Sequence, residues 1–203
     1  MRWPRIIILL VLFLILGAFL HYTLPQRDIV RIVNTEARLF TPEGWNRFFY
    51  ADEDAGSAVA GAQRDLRLIN TVRPNGNVIV YRNEDTGWVW PPYFKFRSQD
   101  LQTEATNLES TATEPEWVAI THYGWRNNFF SIYPNAVSIR PVAGPDVTLV
   151  PWLNLIILAM LALILFFIWR LWERFKDRVV DPIMDRTAVL WARMRDWIAS
   201  RRA

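Results

Sequence analysis

Residues 151–170 read PWLNLIILAMLALILFFIWR, and Asn154 is the one polar side chain that interrupts the apolar run. A helix needs about 20 apolar residues to cross the roughly 30 Å hydrocarbon core of a bilayer. Interfacial tryptophans and a basic flank are typical of such a helix: Trp152, Trp169, Trp172, Arg170 and Arg174. The stretch therefore predicts a transmembrane helix over residues 150–169, rather than a buried helix of a soluble core.

A second apolar run, unbroken over residues 6–20, lies near the amino terminus. With the four residues that follow, it is long enough to span a bilayer. Arg2 and Arg5 before it also fit the start of a signal peptide, but no Ala-x-Ala cleavage site follows the run. We therefore predict an uncleaved membrane anchor over residues 6–24.

Basic residues near the ends of the two predicted spans indicate the orientation of the chain, because cytoplasmic flanks carry the excess of lysine and arginine. They are Arg2, Arg5, Arg170, Arg174, Lys176 and Arg178. Residues 1–5 and 170–203 are therefore predicted to be cytoplasmic, with residues 25–149 exported. In a bacterium this makes an inner-membrane protein with a periplasmic domain.

Composition excludes several kinds of site. The chain of 203 residues has no cysteine and two histidines, which excludes disulfides, zinc ribbons, iron–sulfur clusters, a thiol nucleophile and a multi-histidine metal site. Asp52, Glu53 and Asp54 follow one another, a spacing that fits no EF-hand calcium loop. We predict a solvated turn there and no cofactor.

The periplasmic domain is predicted to be a mostly antiparallel, β-rich α+β domain, because alternating and β-branched runs are bounded by turn residues. The expected strands are residues 28–33, 66–72, 78–81, 116–123, 129–133 and 136–140. Asn75-Gly76 is expected to supply positive φ angles to a hairpin. Residues 116–123 and 129–133 are expected to form a second hairpin, and residues 99–112 a helix with Ser98 as its N-cap.

Aromatic residues are densest over residues 86–96, where they could stack on a sugar, line a groove for a partner, pack the core or rest on the membrane surface. Alternation of Trp88, Trp90, Phe94 and Phe96 favours core packing for about half of them. The candidate surface for a partner or ligand comprises Trp88, Trp90, Tyr93, Phe94, His122, Tyr123, Trp125 and Arg126.

His122 is the residue closest to recognisable chemistry. Next to Arg126 and near Glu116 it could act as a general base, but no serine lies in a nucleophile context. A lone histidine in an alternating strand is more often structural, and the same argument disfavours haem ligation by His21 or His122. We therefore predict no catalytic residues.

Several stretches together resemble one family: HYTLPQRDIVR (21–31), YRNEDTG (81–87), WPPYFKF (90–96), LQTEA (101–105), THYGWR (121–126), PNAV (134–137) and RPV (140–142). It is the bacterial membrane family known as domain of unknown function 1523, and the resemblance covers roughly residues 20–155. It implies a two-span membrane protein without assigned catalytic residues.

The cytoplasmic tail is predicted to be helical, with Pro182 starting a new helix or kinking the old one. A heptad-like apolar stripe follows: Ile183, Thr187, Leu190, Met194 and Trp197. Arginines surround Trp191 and Trp197, which favours a helix lying on anionic lipid over one that pairs with another helix. Acidic residues between the arginines argue against a nucleic-acid partner.

The function that these features favour is a non-catalytic accessory or scaffold protein. Its domain would contact another inner-membrane or periplasmic protein, for example in a respiratory or photosynthetic complex. A second hypothesis is a glycan- or lipid-binding module with Trp88, Trp90, Tyr93 and Trp125 in its pocket. A third is a membrane-bound enzyme that uses His122.

Overall fold

The computed structural model describes residues 3–41, 50, 64–88 and 91–200. Trp90 and the acidic turn at residues 52–54 lie outside the described residues. The chain divides into two compact units, residues 1–151 and residues 152–203. The first unit contains a long helix followed by a five-stranded barrel, and the second is helical.

The first unit begins with helix α1 (Trp3–Thr23), which leads into strand β1 (Gln26–Phe40). The elements that follow are β2 (Arg64–Val72), β3 (Val78–Arg82), α2 (Ser98–Asn107), β4 (Trp117–Tyr123) and β5 (Asn135–Pro141). The strands close into a barrel in the order β1-β2-β3-β5-β4. Neighbouring strands of the barrel pair antiparallel, except that β3 and β5 pair parallel. The prediction of a mostly antiparallel, β-rich domain is therefore confirmed.

Strand β1 closes the barrel because it is long enough to serve two neighbours. Residues 26–31 pair with β4, and residues 31–40 pair with β2. The register with β2 shifts between Ile32 and Asn34, and such a bulge bends a strand and increases its twist. The arrangement, with α2 between β3 and β4, resembles the OB-fold, a five-stranded Greek-key barrel.

The barrel interior is filled by apolar side chains from the strands and α2. They are Val30, Ile32, Ile69, Ile79, Tyr81, Leu101, Ala105, Val118, Ile120, Ala136 and Ile139. Each fully buried valine, leucine or isoleucine contributes about 2 kcal/mol of burial free energy. This part of the barrel is therefore a packed core.

The hairpin between β2 and β3 is confirmed. The Gly76 N–H donates to the Arg73 carbonyl at 2.9 Å, and the Arg73 N–H donates to the Asn77 carbonyl at 2.9 Å. Gly76 has a φ of +83°, whereas Asn75 has no positive φ, so the expectation that both residues take positive angles was wrong. One glycine with a positive φ is enough to close this five-residue connection between β2 and β3.

Predictions for two other segments were wrong. Residues 129–133 form no strand, because the Asn127 side chain accepts the Phe129 and Phe130 N–H groups and folds the segment into a turn. The partner of β4 is instead β5.

Helix α2 ends at Asn107, short of the expected residue 112, because the chain beyond it bonds to β1 through the Ser110 N–H and the Ile32 carbonyl. Ser98 is the first helical residue and not the N-cap. The Asp85 carboxylate instead accepts the Ser98 N–H at 2.8 Å.

The second unit is a helix in three parts: α3 (Trp152–Phe175), a π-helical turn (Lys176–Val180) and α4 (Asp181–Ser200). Pro182 is the second residue of α4, which agrees with the prediction that it starts a new helix. Proline has no N–H to donate, and the wider turn before it accommodates that loss. Two helices of the described chain, α1 and Trp152–Arg195, are long and apolar enough to cross a membrane.

Candidate functional site

The last turn of α1 is attached to one end of the barrel by several hydrogen bonds, one of them from the Gln26 side chain at the start of β1 to the His21 carbonyl at 2.9 Å. The Tyr93 hydroxyl donates to the Thr23 carbonyl at 2.5 Å, and the Gly124 N–H donates to the Tyr22 carbonyl at 2.9 Å. The Trp125 indole N–H donates to His21 Nδ1 at 3.0 Å. We call this contact, made by residues 21–23, Tyr93, Gly124 and Trp125, the anchor junction.

Aromatic packing reinforces the anchor junction. Tyr93 stacks on Tyr123 with ring centroids 4.8 Å apart, and Tyr22 packs edge-on against Trp125 at 5.3 Å. Burial raises the pKa of both Tyr93 and Tyr123, so both remain neutral phenols at ordinary pH. Three residues of the predicted partner surface, Tyr93, Tyr123 and Trp125, are thus brought together against α1.

Gly124 adopts a backbone angle that few other residues adopt. Its φ is +92°, and a Cβ atom there would make ordinary contact with the Tyr22 ring at 3.6 Å. We expect Gly124→Ala to lower the free energy of unfolding by about 1–2 kcal/mol, because alanine disfavours this backbone angle. Urea unfolding of the detergent-solubilised chain measures the effect. Gly144→Ala is the matched control, since nothing lies within 4 Å of that position, and equal losses in both variants would contradict the prediction.

An exposed aromatic patch lies on the loop between β3 and α2. Trp88 packs edge-on against Phe94 at 5.2 Å and lies 6.0 Å from Phe96, and 81% of Trp88 is exposed. We call these three residues the aromatic patch. The expected alternation exists in the opposite phase: Pro91, Tyr93 and Lys95 face inward, whereas Phe94 and Phe96 face outward. The expectation of core packing for about half of these aromatics is therefore wrong for Trp88, Phe94 and Phe96.

Lys95 is the inward-facing residue that the sequence analysis missed. Its ammonium donates to Asn83 Oδ1 at 2.5 Å and to the Ala136 carbonyl at 2.6 Å, with 7% of the residue exposed. Burial lowers the pKa of Lys95 to about 7, against the opposing fields of Asp85 and Glu84. The Asn83 side chain connects Lys95 to α2, because its amide nitrogen donates to the Ser98 carbonyl at 2.7 Å.

His122 belongs to a second, part-buried network, centred on Asp28. One carboxylate oxygen of Asp28 accepts hydrogen bonds from Arg73 at 2.7 Å and Tyr81 at 2.6 Å, and lies 3.1 Å from His122 Nε2. Burial would raise the pKa of Asp28, but these partners outweigh it and hold the pKa well below its usual range. The carboxylate beside His122 is therefore Asp28 on β1, not Glu116.

Catalysis by His122 has little support in this geometry. The residue is 4% exposed, and its Nδ1 has no hydrogen-bond partner among the described residues. A general base must reach the proton that it removes. The described residues also contain no cluster of three or more histidine or acidic side chains that could hold a metal ion.

Arg126 braces the turn between β4 and β5. It donates to the Ile132 carbonyl at 3.1 Å, and its guanidinium lies 4.2 Å from the centroid of the Tyr133 ring. Phe129 and Phe130 lie at the tip of this turn, and 88% of Phe129 is exposed. Both residues were predicted to lie in a strand, and neither belongs to the predicted partner surface.

The comparisons with known proteins assign the chain to a family. Residues 1–176 match the family described as protein of unknown function (DUF1523). The chain belongs to this family. An uncharacterised protein of Haemophilus influenzae is 32% identical to it over 168 residues, which is 81% of this chain and 91% of the relative. No solved structure matches the chain.

The DUF1523 match covers α1, the barrel and α3, and ends at the first residue of the π-helical turn. Helix α4 therefore lies beyond the part of the chain that defines the family. The tryptophans predicted to lie at the membrane interface are all exposed: Trp152, Trp169, Trp172, Trp191 and Trp197. Two of them, Trp191 and Trp197, fall in α4.

Proposed function

We propose that the chain is a non-catalytic scaffold protein of the bacterial inner membrane, and that the aromatic patch binds another protein there. In this proposal α1 and α3 span the bilayer, both termini are cytoplasmic, and the barrel is periplasmic. The observation that carries it is the exposure of Trp88, Phe94 and Phe96 on a barrel with a packed interior. Clustered exposed aromatics are characteristic of interaction sites.

The backbone supports a binding role for this patch. Phe94 has a φ of +50°, an angle that is uncommon for a residue with a bulky side chain. Phe94 points to solvent, whereas Tyr93 and Lys95 on either side of it face inward. The inward neighbours hold the loop through the Thr23 carbonyl, Asn83 and Ala136, so the patch is presented on an ordered support.

The surroundings of the patch favour a protein over a lipid surface as its partner. Asp85 is exposed on the same loop, and Arg97 and Asp100 form an exposed ion pair beside it at 3.9 Å. An apolar centre with a charged rim is the usual anatomy of a protein interface. Tyr93 ties the loop to the end of α1, so the favoured partner is one embedded in the same membrane.

A pocket shared by Trp88 and Trp125 would have favoured the glycan- or lipid-binding hypothesis. Trp88 instead contacts Phe94 and Phe96, whereas Trp125 contacts Tyr22 and His21. The scaffold role is therefore the better supported of the two.

The test is recovery of a partner from native membranes. The tagged full chain, expressed at native abundance, is solubilised in mild detergent, and the proteins that co-purify are quantified. We expect Trp88→Ala combined with Phe94→Ala to lose a partner that the wild type retains in stoichiometric amount, because truncating central aromatics removes most interface energy. Melting curves verify that the variant is folded.

Val78→Ala is the matched control, because Val78 is a 72% exposed apolar residue at the start of β3, outside the loop that carries the patch. It should retain the partner. Recovery of the wild-type chain alone in several detergents would contradict the scaffold role. Equal recovery by the control and the double variant would contradict the assignment of the contact to the aromatic patch.

A further inference from the structure

We infer that the turn between β4 and β5 inserts Phe129 and Phe130 into the lipid surface beside α1. The inference rests on the proposed membrane span of α1, and it adds a second contact between the barrel and the bilayer. It concerns a part of the molecule other than the aromatic patch, and its ligand is lipid rather than protein.

The direction of β4 carries the first step. β4 runs antiparallel to β1, with His122 opposite Gln26, and α1 immediately precedes β1. Beyond the strand, Gly124 bonds to Tyr22 and Trp125 bonds to His21. Gly124 and Trp125 therefore contact successively earlier residues of α1, so the chain leaves β4 toward the segment proposed to lie in the bilayer.

The reach of the chain carries the second step. Phe129 is four residues beyond Trp125, so its Cα lies within about 14 Å of the Cα of Trp125. Trp125 itself contacts the final turn of α1, where His21 and Tyr22 are suited to the interface between lipid and water. The tip of the turn consequently lies within that distance of a residue that contacts the end of α1, where the helix would leave the membrane.

The turn holds both phenylalanines outward. Asn127 accepts the N–H groups of both, and the Asn127 and Ile132 main chains bond to each other at 2.9 and 3.0 Å. Ser131 takes a φ of +51°. The two rings meet edge-on at 5.0 Å, and both are exposed. Because these hydrogen bonds already fix the turn, the two phenylalanines lose little conformational entropy when they enter the lipid.

The charges near the tip fit an anionic lipid surface. Residues 124–134 read GWRNNFFSIYP, in which Arg126 is the one charged side chain. The loop that carries the aromatic patch instead holds both signs, with Glu84 and Asp85 near its start and Lys95 and Arg97 at its end, so it offers an anionic surface no net attraction. This difference separates the lipid contact from the proposed protein contact.

The absence of cysteine from the chain allows a direct test. Asn128→Cys in the full chain, labelled with an environment-sensitive fluorophore and reconstituted in phosphatidylethanolamine–phosphatidylglycerol vesicles, places the label beside both phenylalanines. We expect blue-shifted emission and quenching by nitroxide-bearing lipids that is several-fold stronger than quenching by aqueous iodide. Adding Phe129→Ser and Phe130→Ser should reverse that preference.

Two further labels complete the design. Thr113→Cys precedes β4, at the end of that strand away from α1, and its label should be quenched from water. Phe13→Cys, in the middle of α1, should be quenched from lipid. If the label at residue 128 behaves like that at 113 while the label at 13 is in lipid, the inference is overturned and the anchor stands. If the label at 13 is in water, the anchor fails and this inference fails with it.

Discussion

Replacing Asp28 with asparagine should lower the free energy of unfolding by about 3 kcal/mol. One carboxylate oxygen of Asp28 accepts hydrogen bonds from Arg73 and Tyr81 and lies beside His122 Nε2. An uncharged amide cannot replace it as the acceptor for all three. Removing one member of a part-buried ionic network leaves the others without compensation, which costs several kcal/mol. Urea unfolding of the detergent-solubilised chain at pH 7 measures the loss.

The same network makes the free energy of unfolding depend on pH in the acid range. The pKa of Asp28 is lower in the folded chain than in the unfolded chain, so its contribution is complete above the ordinary pKa of about 4. It is lost as the pH falls from there through the folded pKa. The wild type should therefore lose more stability than Asp28→Asn over that range. Glu104→Gln, on the exposed face of α2, should change stability by less than about 0.5 kcal/mol. A similar loss in both variants at pH 7 would contradict the role of Asp28.

Strands with a strict pattern were predictable from sequence. Residues 66–72 and 78–81 alternate or run apolar, and a turn with Gly76 separates them, so local chemistry determines the hairpin. The same holds for residues 28–33 and 136–140, which the structure places in β1 and β5. In these segments most inward positions are apolar and pack in the core.

Closure of the barrel was not predictable in this way. It depends on β1 pairing with β4 at one half and β2 at the other, and pairing between strands that are distant in sequence leaves no local signal. The failure at residues 129–133 has a different cause. Their aromatic and β-branched composition favours a strand, but the Asn127 side chain captures two N–H groups that a strand would have used.

The candidate site was only partly predictable. The aromatic loop was identified from the sequence, and Trp88 and Phe94 were named for the candidate surface, but core packing was favoured for about half of the aromatics because apolar side chains are expected to face a core. Lys95 faces inward instead, since Asn83 and Ala136 supply its acceptors. The partner of His122 was equally hidden, because Asp28 lies 94 positions away. Buried polar networks assemble from residues far apart in sequence.

The buried ammonium of Lys95 leads to the second large effect: the free energy of unfolding should rise by about 2 kcal/mol between pH 7 and pH 9. Burial gives Lys95 a folded pKa of about 7, whereas an unfolded lysine titrates near pH 10.4. Between these values the unfolded chain binds more protons, so stability increases with pH. Below the folded pKa both states carry the proton and the dependence ends.

Lys95→Met should remove most of this rise, because methionine fills a similar volume and does not titrate. It also leaves Asn83 Oδ1 and the Ala136 carbonyl without their donor, so its stability at pH 9 should fall below that of the wild type by about 1–3 kcal/mol. Arg97→Met, at an exposed neighbouring position, should preserve the rise. Urea unfolding at both pH values in one detergent measures all three chains. An equal rise in the free energy of unfolding of Lys95→Met would mean that the Lys95 ammonium is solvated. The loop that carries the aromatic patch would then lack its contact with Asn83 and Ala136.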